Sequence, residues 1–325
     1  MAVDGHAIEA DGLVKTYGKD VRALDGLGFA VPAGTVFGLL GPNGAGKSTA
    51  VKILTTLARA DSGTAHVAGL DVNRQAAEVR RRIGVVAQKS GVDRELTGRE
   101  NLTLQGNLYG RRGKGLAERV QELLESFGLA DAADRIARGY SGGMQRRLDI
   151  ANALVHDPDV LFLDEPTTGL DPEVRAGMWR EIARLTEEQG LTILLTTHYL
   201  EEADQLASNL AIVDRGKVVA SGTPEELKGE LEGDAVIVEL AVVPDEGAAE
   251  AAVSGVSGVR EVLAEGRGVR ARVNEGATAV PVVLAALESN GMSVASVTVS
   301  RPSLDDVYLR HTGRAFSDAD EEGVR

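Results

Sequence analysis

Residues 38–54 read GLLGPNGAGKSTAVKIL, four glycines and a lysine set between an apolar run and an amphipathic stretch. Gly41, Gly46, Lys47 and Ser48 satisfy the G-x-x-x-x-G-K-[ST] spacing in the strand-to-helix setting it requires. Without Cβ atoms, successive backbone N–H groups can curve around an anion, and a helix starting near Lys47 adds its positive end. Gly41, Pro42, Asn43, Gly44, Ala45, Gly46, Lys47, Ser48 and Thr49 are therefore the candidate nucleotide-phosphate cradle. Lys47 is suited to bridge β- and γ-phosphates, and the Ser48 hydroxyl to meet Mg²⁺.

An apolar run ending in two acids, VLFLDEPTTGLDP (160–172), supplies what phosphoryl transfer further needs. A carboxylate at a strand's C-terminal end lies beside the phosphate loop of an open α/β sheet. Asp164 is the candidate to hold Mg²⁺ through water. Glu165, on the alternate side of the strand, is the candidate general base for an attacking water. His198 closes a second apolar strand, LTILLTTH, and is placed to contact a γ-phosphate on the same sheet edge. Gln88 ends RIGVVAQ in the same way, and its amide could meet either Mg²⁺ or the attacking water.

A second anion-binding helix terminus lies in YSGGMQRRLDIANALV (140–155). Ser141 is a good N-cap, and Met144, Leu148, Ala151 and Val155 recur at helical spacing. Gly142 and Gly143 leave the helix's positive end open to close approach. One chain with one triphosphate cradle has no use for a second such terminus. A two-fold dimer does, because each subunit can cover the nucleotide held by the other.

These residues need a sheet to carry them. Apolar runs at 35–41, 82–88, 159–166, 191–198 and 210–216 alternate with amphipathic stretches such as 172–190, which predicts a mainly parallel α/β core. Residues of about 90–140 form a mostly helical inserted lobe. A composition change near 230 marks a domain boundary, so 1–230 is the first domain and 231–313 the second. From Leu231 onward the chain has eight arginines, no lysine and sixteen acidic residues. The second domain reads βαββαβ, the split βαβ of ferredoxin-like domains. The tail, 314–325, is polar and acidic and is expected to fray.

Composition narrows the partners. A formal charge of −14 and 3% aromatics count against a nucleic-acid surface, which needs clustered cations and stacking rings. The absence of cysteine excludes disulfides and thiolate metal sites and fits a reducing compartment. No secretory signal and no run of about 18 apolar residues occurs, so the expectation is a cytoplasmic protein with no membrane span.

Taken in order, the loop at 41–48, Gln88, YSGGMQ, VLFLDE, GLD and His198 resemble an ABC-transporter ATP-binding subunit. DRELTGRENL (93–102) and RPSLDDVYLRHTGR (301–314) look like the DrrA-type daunorubicin/doxorubicin resistance ATPases. The resemblance implies a P-loop ATPase that hydrolyses ATP with Mg²⁺, homodimerises on ATP binding and powers export through a separate membrane permease. The permease would bind the drug-like substrate and hold the ATPase on the cytoplasmic face of the membrane. The resemblance also implies that Ser141, Gly142 and Gly143 contact the partner's γ-phosphate, that Asp171 communicates across the dimer, and that Tyr17 stacks on adenine. Many relatives have LSGGQ where this chain has Tyr140 and Met144 at the first and fifth places; the Ser-Gly-Gly centre is unchanged. The competing reading, a soluble ATPase of this class acting on ribosomes or nucleic acid, lacks the paired cassettes or long coiled coil such proteins carry. The second domain is read as a dimerising or permease-gripping element.

Overall fold

Every residue of Val160–Leu163 is buried, and successive side chains enter two different cores. Leu161 and Leu163 face one, Val160 and Phe162 the other. A strand covered on both faces must be apolar throughout, which is why these runs lack alternation. Burying each such side chain contributes roughly 1.5–3 kcal/mol.

The computed structural model describes residues 5–18, 21–245, 247–317 and 319–320. In chain order it has β1 (His6–Tyr17), β2 (Val21–Pro32), β3 (Val36–Leu40), α1 (Lys47–Leu54), β4 (Ser62–Val67), β5 (Leu70–Asp71), α2 (Ala76–Arg82) and β6 (Ile83–Val86). The helical lobe follows with α3 (Gly98–Leu108) and α4 (Gly113–Ser126). The sheet resumes through α5 (Gly142–Leu154), β7 (Val160–Asp164), α6 (Pro172–Gln189), β8 (Thr192–Thr197), α7 (Leu200–Leu206), β9 (Asn209–Asp214) and β10 (Lys217–Gly222). A six-stranded sheet runs β10-β9-β3-β8-β7-β6, parallel except for the β10–β9 edge pair. This is the parallel core expected, and β3, β7 and β8 end side by side at the carboxyl edge where the candidate residues lie.

A second, four-stranded antiparallel sheet, β2-β1-β4-β5, escapes sequence reading. Its two-residue period is broken by register shifts along β1, and Gly12 and Gly26 have φ of +58° and +83°. Ile8, Leu13, Leu24 and Leu27 from this sheet pack with Phe37, Leu54 and Phe162 into one core. On the other side, Leu102, Val120, Phe127 and Tyr140 of the lobe pack with Leu148, Leu161 and Ile193.

The chain separates into two units, one reaching to Pro224 and including the segment from Arg314, the other Glu225–Gly313. The division falls slightly before the composition change, within α8 (Pro224–Gly229). The second unit contains β11 (Asp234–Leu240), α9 (Ala248–Ser254), β12 (Val259–Glu265), β13 (Gly268–Val273), α10 (Gly276–Ser289) and β14 (Val294–Ser300). Its sheet order, β12-β13-β11-β14, is antiparallel throughout, as the βαββαβ reading requires. Helix α11 (Leu304–Thr312) follows, started by a Ser303–Asp306 capping box.

The tail departs from expectation. Its composition predicts fraying, yet Phe316 and Ala319 are 5% and 3% exposed, and Arg314 donates to Asp214 Oδ1 at 2.7 Å. An aromatic anchor and a paired cation offset the ordering cost that polarity alone would leave unmet. Residues 318 and 321–325 of that tail lie outside the described residues.

A candidate nucleotide site at the phosphate loop

Two loop glycines are sterically obligatory. A Cβ on Gly41 would lie 2.3 Å from Val213 O, and one on Gly46 would lie 2.5 Å from Ala23 O at a φ of +110°. Gly46 is the N-cap of α1 and has no side chain to cap it, so the amides of Lys47, Ser48 and Thr49 lack a capping partner. The Ala50 amide closes the first turn on Gly46 O at 3.0 Å. Within the loop the Gly41 amide donates to Thr197 O and the Ala45 amide to Pro42 O, both at 3.2 Å. Pro42 has no N–H. Gly41, Pro42 and Ala45 thus shape the cradle, and Asn43, Gly44, Gly46, Lys47, Ser48 and Thr49 carry the amides available to an anion. The Asn43 amide donates to Asp320 at 2.8 Å.

Behind the loop the acidic pair sits with its partners. Lys47 is 4% exposed, donates to Gly41 O at 2.6 Å and Pro42 O at 3.0 Å, and lies 3.9 Å from Glu165 Oε1. Burial lowers the Lys47 pKa, opposed by the charges of Glu165, Asp320 and Asp164. Ser48 Oγ donates to Asp164 Oδ1 at 3.2 Å. Gln88 Nε2 donates to Glu165 Oε2 at 3.2 Å, and His198 Nδ1 lies 3.3 Å from Glu165 Oε1. Phosphate loop, Gln88, Asp164, Glu165 and His198 therefore converge, although they come from four separate parts of the chain.

Glu165 sits at a φ of +49°, an uncommon conformation for a non-glycine residue. Its amide is fixed by Thr196, donating to the carbonyl at 3.2 Å and to Oγ1 at 3.0 Å. Its carboxyl is held below the usual range chiefly by His198; burial opposes this, and Lys47 and Thr168 add to it. Glu165 is thus an ionised acceptor at neutral pH.

The hydroxyl of Ser48 and carboxylate of Asp164 are hard oxygen donors sharing one locus, a set that fits Mg²⁺ carried in on phosphate oxygens. Among the described residues no group of three or more His, Cys, Asp or Glu forms a cation cage of its own.

Sequence reasoning missed several supporting residues. Thr196 Oγ1 donates to Asp164 Oδ1 at 2.6 Å, so one hydroxyl orients both acids. Arg146, 8% exposed, sends its fork into the carbonyls of Ala87, Asp164, Glu165 and Pro166. Asp149, on the same helix, accepts from Ser90 Oγ and the Gly91 amide just past Gln88. The three-residue spacing of Arg146 and Asp149, which sets both on one helix face, is the signal that could have grouped them.

Ser141 caps α5, accepting from the Met144 amide at 3.3 Å. Gly142 and Gly143 differ. A Cβ on Gly143 would lie 2.5 Å from Val174 Cγ1, whereas one on Gly142 would meet only Leu170 at 3.8 Å. Gly143 is therefore required by packing against α6, and Gly142 faces open space. Asp171 caps α6, accepting from the Val174 amide at 3.0 Å. Among the described residues no hydrogen bond joins Ser141, Gly142 or Gly143 to the phosphate loop of the same chain. Tyr17 ends β1, 40% exposed, with Lys15 Nζ 5.5 Å from its ring centroid.

Known proteins resemble this chain in sequence and fold. The ABC transporter family matches residues 24–168, and the C-terminal domain of DrrA1-3-like ATP-binding proteins matches 222–312. The daunorubicin resistance ATP-binding protein DrrA2 of Streptomyces coeruleorubidus is 49% identical over 314 residues, 96% of each chain. Among solved structures, cbiO1 of Clostridium perfringens, part of the ABC transporter complex cbiONQ, superposes with a TM-score of 0.65 at 26% identity. That match covers 70% of this chain and 92% of cbiO1. An ATP-binding cassette solved as a dimer in a post-hydrolysis state with ADP and Pi gives a TM-score of 0.60 at 27% identity, covering 66% of this chain and 98% of its own. Among the described residues no helix is long and apolar enough to cross a membrane.

Proposed function

The chain belongs to the DrrA-type family of ABC transporter ATP-binding proteins, and on that premise we propose that it hydrolyses ATP to drive export of a drug-like molecule through a separate membrane permease. The convergence of Lys47, Asp164, Glu165, Gln88 and His198 on one sheet edge carries this reading.

In the proposed reaction the orphan amides of α1 and Lys47 receive the β- and γ-phosphates, with Tyr17 against the adenine. Mg²⁺, when bound by Ser48 and Asp164, neutralises charge on the phosphate oxygens. Gln88 and the ionised Glu165 orient the attacking water, and Glu165 takes its proton. His198 stands beside Glu165 to contact the γ-phosphate. A second copy supplies Ser141 and the open N-terminus of α5 at Gly142, with Asp171 at the neighbouring α6 terminus. That Ser141 caps its own helix, while Gly142 leaves its outer side uncovered, supports a role toward another subunit.

Coupling to a permease is assigned to a cleft of about 340 Å³ past Gln88, whose lining includes Leu57, Val85, Lys89 and Tyr109. Leu57 in that lining and Leu108, the chain neighbour of Tyr109, are 72% and 73% exposed, the apolar surface a membrane partner's cytoplasmic element needs. The cleft connects to the chemistry through Asp149 and Gly91, next to Gln88. Docked there, the protein would sit on the cytoplasmic face of the membrane, and cargo would touch only the permease.

Glu165→Gln tests the reading. Turnover should fall roughly 10²–10⁴-fold with ATP affinity retained, and light scattering should report a dimer when ATP and Mg²⁺ are added. Undiminished hydrolysis would remove Glu165 from the mechanism, and a persistent monomer would remove the shared site.

A further inference from the structure

Asp320, beyond the second unit, lies against the phosphate loop. Asp320 accepts a hydrogen bond from the Asn43 amide at 2.8 Å, one of the donors left over once Gly41 and Ala45 have closed the loop on itself. A carboxylate on a loop amide satisfies the demand a phosphate oxygen would satisfy, a localised negative charge against an N–H dipole. Its charge also reaches Lys47, which Asp320 helps to keep protonated.

This contact has a built seat. Arg314 begins the segment with its 2.7 Å bond to Asp214, the last residue of β9 and the neighbour of Val213, whose carbonyl abuts Gly41. Both partners of that ion pair are largely shielded. Phe316 and Ala319 are buried, and the Ala319 amide donates to Ala315 O at 3.2 Å, giving the segment a helical turn. A cleft of about 180 Å³ between this turn and the loop is lined by Pro42, Gly44, Arg215, Arg314 and Ala319. An anchored cation, an apolar plug and the Asp320 carboxylate make a strap that reaches the loop.

We propose that the segment from Arg314 is an autoinhibitory strap, with Asp320 holding a phosphate donor of the loop so that ATP must displace it. The proposal rests on the loop being the nucleotide site. Strap and triphosphate compete for one amide, so the apparent ATP affinity is the intrinsic affinity scaled by the fraction of molecules with the strap released. Once ATP saturates, the strap is off and turnover is unaffected. The device acts on KM and leaves kcat alone.

The test compares the full-length parent with Asp320→Ala, Asp320→Asn and Arg314→Ala, reading the Kd of Mg-ATP by calorimetry together with KM and kcat. Asp320→Ala should tighten Kd and lower KM by about three- to tenfold, with Asp320→Asn in between. Arg314→Ala, which releases the anchor away from the loop, should shift them in the same direction, and kcat should stay within about twofold. Hydrogen exchange supplies a second readout: ATP added to the Glu165→Gln background should speed exchange of the Ala319 amide. If Asp320→Ala binds ATP with the parent's Kd, and ATP leaves Ala319 protection unchanged, the strap is overturned and the nucleotide site stands. If the parent itself binds no ATP, the loop reading fails and the strap falls with it.

Discussion

Arg146, on the helix that begins at Ser141, donates through Nη2 to the carbonyl oxygen of Glu165 at 3.3 Å. The same guanidinium holds Pro166 O at 2.8 Å and Ala87 O at 2.7 Å, so the strand end bearing Glu165 and the segment bearing Gln88 share one clamp. Its burial lowers its pKa, yet a guanidinium remains charged, and those carbonyls compensate its desolvation.

Removing the fork should therefore misplace the base without touching nucleotide. Arg146→Lys keeps the charge and loses the planar geometry, and kcat is expected to fall roughly tenfold or more with the Kd of ATP nearly constant. Arg146→Ala strands several buried carbonyls and should cost about 2–4 kcal/mol in denaturant unfolding. An Arg146→Lys enzyme with parental kcat would show that Glu165 is positioned by other means.

The two glycines after Ser141 should separate stability from activity. Gly143→Ala drives a methyl into Val174 and is expected to destabilise by about 1–3 kcal/mol, visible as a lowered melting temperature. Gly142→Ala meets only Leu170, at an unstrained 3.8 Å, and should melt like the parent. In the shared site, though, that methyl occupies the approach of a partner's phosphate, so steady-state hydrolysis should drop roughly tenfold or more. Equal melting and equal turnover for Gly142→Ala would argue against a second copy at this terminus.

Much of the site could be read from the chain because it is held in short, contiguous words. The loop at 41–48, the acids after 160–163 and Ser141 each announce themselves within a few residues of a strand end or a helix start. Thr196 and Arg146 do not: Thr196 meets Asp164 because β8 lies beside β7, and Arg146 meets the carbonyls of 164–166 from α5, contacts that tertiary packing alone sets. Nothing local distinguishes a threonine beneath a carboxylate from one filling a core. The antiparallel sheet at the start of the chain was lost for a different reason, its bulged and glycine-broken period. For the tail, a charge count outweighed Phe316 and the pairing of Arg314 with Asp214.

Asp149 links Ser90 and Gly91 to the helix of the Ser-Gly-Gly, and its burial raises its pKa against those hydrogen bonds and the Arg146 charge. A carboxyl whose folded pKa lies above its unfolded value binds more protons in the native state. Its contribution to stability therefore declines as pH rises from the unfolded carboxylate range through the folded value. Asp149→Asn cannot titrate and escapes that decline. The difference in unfolding free energy, variant minus parent, should be more favourable to the variant at pH 7.5 than at pH 4 in urea titrations. A difference independent of pH would mean that Asp149 is not charged at a cost in the folded protein.

Thr196 offers the sharpest test of the metal assignment because it touches the acids without being a proposed ligand. Its hydroxyl gives its proton to Asp164 Oδ1 at 2.6 Å and takes one from the Glu165 amide at 3.0 Å. Thr196→Val retains the shape, and the loss of that proton frees Asp164 to rotate away from Ser48. Partners that orient a metal-binding carboxylate typically influence metal affinity about 10–100-fold. The Mg²⁺ concentration giving half-maximal hydrolysis should accordingly rise by roughly tenfold or more, with much of the rate recovered at high Mg²⁺. Positioning of the Glu165 backbone alone would look different, since kcat would then fall at every Mg²⁺ concentration. A Mg²⁺ dependence identical to the parent's, with kcat reduced, would tie Thr196 to the Glu165 backbone alone and leave it no part in orienting Asp164 for the metal.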